Sequence, residues 1–85
     1  MEIYFTKSFE KDYKDLSAKI QKQLDKQLNL LLGNINHPSL RVKKIKGYSN
    51  IWEGRISKSY RFTFQIKRDY YFMRRAGSHS IFSNP

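Results

Sequence analysis

Apolar residues recur at helical spacing through the first third of the chain and alternate with polar ones after Pro38. Residues 2–6, EIYFT, form a short β-branched and aromatic run that predicts a strand. Phe9, Tyr13 and Leu16 then share one helical face, with Lys7, Glu10, Lys11 and Lys14 mostly on the others. Ser17 suits the N-cap of a second, longer helix, because its hydroxyl can accept one of the unpaired N–H groups of the first turn. In that helix Ile20, Leu24, Leu28, Leu31 and Leu32, continued by Ile35, make an apolar stripe read as core. Gly33 and Asn34 weaken the helix, and His37-Pro38 ends it, since the residue before a proline is pushed out of the helical region.

Beyond Pro38 the period changes to two. LRVKKIKG is basic and alternating, and Gly47-Tyr48-Ser49-Asn50 reads as a turn. Strands are expected over 51–57 and 60–67, joined through Ser57, Lys58 and Ser59. Lys67-Arg68-Asp69 makes another turn before YYFMRRA. With period two, Tyr60, Phe62, Phe64 and Ile66 point one way, and Arg61, Thr63, Gln65 and Lys67 the other. Trp52, Gly54 and Ile56 share one face of the preceding strand, and Ile51, Glu53, Arg55 and Ser57 the opposite one. The order β-αα-ββββ predicts an α+β fold with two N-terminal helices on one face of a small, mainly antiparallel sheet. The other face is expected to be the basic one.

Composition narrows the class. The 85 residues suit a single domain spanning 1–85, and 39% hydrophobic with 15% aromatic residues is enough to build one small core. The absence of cysteine excludes disulfides and thiolate metal sites and fits a cytoplasmic setting. No apolar run approaches the roughly 20 residues of a membrane span, and MEIYFTKSF lacks the apolar stretch of a signal peptide. Charge adds most. Seventeen Lys and Arg against seven Asp and Glu give a net +10, and residues 41–75 hold eleven of those cations against only Glu53 and Asp69. Such an excess suits a phosphate backbone or an acidic protein partner.

Glu53, Arg55, Arg61 and His79 are the candidates for chemistry. Arg61 carries a planar fork that matches phosphate oxygens, although a strand arginine can equally hold a cross-strand carboxylate such as Glu53. Glu53 is a candidate general base toward an RNA 2′-hydroxyl, or a salt-bridge partner of Arg55 or Arg61. His79 follows Ala76-Gly77-Ser78, where strand gives way to loop, and an imidazole suits protonation of a leaving 5′-oxygen. His37, beside Pro38, reads as a surface histidine without a chemical role. Lys43, Lys44 and Lys46 read as phosphate-tracking charges. Phe82, near His79, is placed to stack on a base or to pack the tail. No spacing of His, Asp and Glu suggests a metal site and no glycine-rich nucleotide loop is present, so no cofactor is expected.

HPSLRVKKIKG, NIWEGRIS, SYRFTFQI and AGSHSIFSNP, in that order on a β-αα-ββββ pattern, resemble the RelE/ParE toxin superfamily of bacterial toxin–antitoxin modules. They look most like its RelE-type, ribosome-dependent mRNA endonucleases, and the resemblance spans essentially the whole chain. It implies a compact sheet carrying two helices, metal-independent cleavage of mRNA in the ribosomal A site, and inhibition by a cognate acidic antitoxin. Arg61 matches the family's phosphate-binding strand arginine. Glu53 and Arg55 fall where members carry charged catalytic side chains, His79 where they carry arginine or histidine, and Phe82 near a stacking aromatic. Lys43 stands about where the family's second-strand acid would be, and Glu53 and Arg55 replace lysines of the third strand. ParE-type members share the fold but poison DNA gyrase. That activity, or non-enzymatic binding to nucleic acid, is the alternative expectation.

Overall fold

A computed structural model describes residues 1–85. In chain order it contains β1 (Glu2–Phe5), α1 (Lys7–Asp15), α2 (Ala18–Gly33), β2 (Lys43–Lys44), β3 (Trp52–Arg55), β4 (Arg61–Lys67) and β5 (Tyr70–Gly77). Short 3₁₀ turns occupy Pro38–Leu40 and His79–Ser83. The α+β fold is the expected one. The strands lie in the order β1-β5-β4-β3-β2, with β1 parallel to β5 and every other pair antiparallel. No helix is long and apolar enough to cross a membrane.

The helices begin where hydroxyl side chains can cap them. Thr6, expected as the last residue of the first strand, instead accepts from Phe9 N at 3.2 Å and opens α1. Ser17 accepts from Ile20 N at 3.3 Å and opens α2. Such caps contribute about 1 kcal/mol each. α2 stops at Gly33, before the proline. Phe9, Leu24, Leu28 and Leu31 from the helices are buried together with Phe62, Phe64, Met73 and Ala76 from the sheet. Leu32 does not join them: it is 44% exposed, because it lies off the stripe made by its neighbours. Gln27 takes a place on the buried face instead, donating from Nε2 to the carbonyls of Ser39 (3.2 Å) and Arg55 (2.8 Å). Gln27 thereby ties α2 to the end of β3.

Register explains two residue choices in the sheet. Gly54 is paired with Phe62, and a Cβ at Gly54 would lie 2.2 Å from the Phe62 ring, so the buried ring needs a glycine across from it. Asn50 fixes the start of β3 by donating to the Ile66 carbonyl at 3.1 Å and accepting from Ile66 N at 3.3 Å. The expected strand over 51–57 is shorter, ending at Arg55, because Ile56 and Ser57 turn into the hairpin by donating to the Tyr60 carbonyl. The alternating LRVKKIKG run contributes only Lys43 and Lys44 to the sheet.

Candidate active site on the open sheet face

The face turned away from the helices gathers the polar positions of four strands. Lys43 pairs with Glu53, Glu53 with Thr63, and Thr63 with Arg75, so one row crosses β2, β3, β4 and β5. The next row, toward the sheet end, is Arg55, Arg61 and Gly77. His79 starts its 3₁₀ turn two residues beyond Gly77. Strand alternation thus brings Glu53, Arg55 and Arg61 onto one face, and the chain leaving β5 carries His79 away from that same end.

Arg61 is held from one side only. Its Nη1 donates to the carbonyls of Ser57 (2.6 Å), Tyr60 (2.9 Å) and Lys58 (3.2 Å), all in the β3–β4 hairpin. Arg55 joins the same loop through Nε to Ser57 O at 3.3 Å. The remaining N–H groups of both guanidiniums have no partner within the chain, and both side chains are half-buried. Two adjacent forks, braced by backbone and with donors to spare, have the chemistry that pairs with an oxyanion. Glu53 forms no ion pair with either arginine; the chain's single salt bridge joins Arg75 to Asp12. His79 is exposed and lies edge-on to Phe82, with ring centroids 5.6 Å apart, so the aromatic supports the imidazole.

The basic loop divides. Lys43 shares the open face with Glu53, but Lys44, paired with Trp52, lies on the helix side with its Nζ 5.2 Å from the indole centroid. Lys46 is exposed in the turn after β2. His37 is a structural cap, its Nδ1 accepting from Ser39 N at 3.2 Å.

Sequence reasoning did not single out Thr63, Arg74, Arg75 or Asp12. Thr63 was expected on the exposed side of β4, yet it is fully buried, because the tail folds over it and Pro85 O accepts from its hydroxyl at 3.1 Å. A register shift at Thr63/Phe64 lets two consecutive arginines serve one face. Arg74 donates to Gln65 Oε1 (3.0 Å) and Pro85 O (3.1 Å), and Arg75 to Asn84 O (3.0 Å) and Asp12 (2.7 Å). Asp12 also accepts from Ala76 N at 3.0 Å, taking the place of a strand beyond the reach of β1. The signal was the adjacent pair Arg74-Arg75 just before Gly77, legible only once Arg61 and Gly77 were known to pair.

No protein-family model and no curated protein matches the sequence. Solved structures do match. A RelB-RelE antitoxin-toxin complex from Methanococcus jannaschii aligns at 28% identity and TM-score 0.76, over 95% of this chain and 98% of that one. A YoeB/ParE toxin from Agrobacterium tumefaciens aligns at 16% and 0.79, over 93% and 99%. YafQ from E. coli strain BL21(DE3) aligns at 13% and 0.78, over 94% of both chains. The last two likenesses establish the fold alone, while the first extends to sequence over nearly the full length of both chains. The chain thus has the fold of the RelE/ParE toxin superfamily, and its likeness at 28% identity is to a RelE-type toxin.

Proposed function

We propose that this chain is the toxin of a type II toxin–antitoxin module and an endoribonuclease that cuts mRNA on the ribosome, in the cytoplasm, to stop translation. The observation that carries the reading is the Arg55–Arg61–Gly77 row, with two braced guanidiniums on an open, basic face and His79 just past its end. In the reaction the RNA 2′-oxygen attacks the adjacent phosphorus and the bond to the 5′-oxygen breaks. Arg61, with Arg55, neutralises the charge that builds on the phosphoryl oxygens. His79 gives its proton to the departing 5′-oxygen. Glu53, or a ribosomal group, takes the 2′-proton. The products are a 2′,3′-cyclic phosphate and a 5′-hydroxyl.

An exposed, incompletely assembled set of this kind needs help to align three atoms in line, and the ribosome supplies it by fixing the message. Lys43 and Lys46 contribute sequence-independent attraction to phosphates, and Phe82 offers a ring to a base. The same basic face suits a cognate acidic antitoxin that covers Arg55, Arg61 and His79; a similar toxin, RelE of Methanococcus jannaschii, is seen in complex with its antitoxin RelB. Incubation with programmed ribosomes, followed by mapping of mRNA ends, tests the function. Cuts that require the ribosome are expected. Intact message together with trapped gyrase–DNA cleavage complexes would replace this reading with the ParE one.

A further inference from the structure

The open face carries a second feature at its other end. Strand pairing sets Tyr4 beside Phe72 and Phe72 beside Gln65, and in the next row Glu2 beside Tyr70 and Tyr70 beside Lys67. The three rings form one cluster, with Tyr4 and Phe72 centroids 5.0 Å apart and Tyr70 and Phe72 centroids 5.8 Å apart. Tyr4 is 52% exposed and Tyr70 39%, so much of the aromatic surface is unused by the fold. Cross-strand packing alone accounts for the Phe72 contacts but not for two tyrosines left open to solvent.

We propose that Tyr4, Phe72 and Tyr70 form a stacking platform for single-stranded RNA that grips the message at the end of the face opposite the arginines. The proposal rests on the nuclease reading for its purpose and on the rings for its chemistry. Cations are built into the cluster: Lys67 Nζ lies 5.1 Å from the Phe72 centroid, and Arg74 holds Gln65, the neighbour of Phe72 in the row. The acids at that end are Glu2 and Asp69, set against Lys67, Arg68 and Arg74. Rings interleaved with cations fit a strand that presents bases and phosphates by turns, better than they fit an apolar helix, which seeks a continuous greasy face. Six residue steps separate Arg61 from Lys67 along β4, roughly 20 Å at strand rise, and Pro85 covers Thr63 between them, so a strand that reaches both ends of the face passes over the tail.

The test is the affinity of the isolated chain for a short single-stranded oligoribonucleotide of mixed sequence, read by fluorescence anisotropy, with a duplex of equal length as control. Tyr4→Ala and Tyr70→Ala should each weaken single-strand binding roughly fivefold, the lower end for loss of one stacking ring, and leave duplex binding unchanged. Tyr4→Phe should keep parental affinity, separating the ring from its hydroxyl, while unchanged duplex binding in the alanine variants shows that the fold is intact. Unchanged single-strand affinity in both alanine variants would overturn the proposal and leave charge as the whole cause. Lost binding to an acidic antitoxin with RNA affinity intact would overturn it too, making the cluster a protein interface. Ribosomal cleavage is scored separately: ring-dependent RNA affinity in a chain that leaves message intact removes the nuclease reading and supports the platform.

Discussion

The two faces of the sheet are held by different physics. On the covered face Phe62, Phe64 and Met73 lie fully buried against Phe9, Leu24 and Leu31, and shape decides what fits, as Gly54 under the Phe62 ring shows. On the open face the side chains are polar, and their positions come from strand register and backbone carbonyls: Arg61 on the 57–60 loop, Arg74 and Arg75 on the tail. The covered face supplies stability, and the open face leaves polar groups free for the proposed chemistry. Substitutions on the first should therefore be read in unfolding, and those of the free polar groups on the second in function.

The largest expected break in that division is Phe62→Ala, which empties a buried ring site and should cost about 3–5 kcal/mol in urea unfolding. Asp12→Ala strikes where the two faces meet. It leaves the Ala76 N–H without an acceptor and Arg75 with only the Asn84 carbonyl, and a loss of about 1–3 kcal/mol is expected in the same measurement. Thr63→Val keeps the shape but removes the hydroxyl that binds Pro85. A loss of about 1 kcal/mol is expected, with faster proteolysis of residues 79–85 as the sign that the tail has loosened. The smallest effect sharpens the comparison within one dipeptide. Lys43→Ala, on the open face, should lower the salt dependence of ribosome binding by about one charge. Lys44→Ala, on the helix side over Trp52, should leave that slope unchanged.

Much of the covered face was legible in the sequence, because burial imposes a period. Phe9, Leu24, Leu28 and Leu31 on the helices and Phe62 and Phe64 on β4 announce themselves by spacing. Period also placed Glu53, Arg55 and Arg61 together, since alternation fixes a face once two strands pair. Contacts between residues far apart in the chain were not legible. Nothing near Thr63 signals that Pro85 returns to cover it, and nothing in α1 marks Asp12 as the acceptor for the edge of β5. Leu32 was misplaced because a leucine beside the stripe looks like one within it. Lys44 was grouped with Lys43 because composition carries no face, and a strand of two residues is too short for alternation to show one.

The central claim is that the open face cuts RNA through the groups beside Arg61 and His79. Single-turnover cleavage on saturating programmed ribosomes measures that chemistry apart from binding. Arg61→Ala and His79→Ala should each lose about 100- to 1000-fold in rate, equal to about 2.7–4 kcal/mol of barrier, while thermal unfolding and most ribosome affinity stay parental. Parental cleavage rates in both variants would contradict the account.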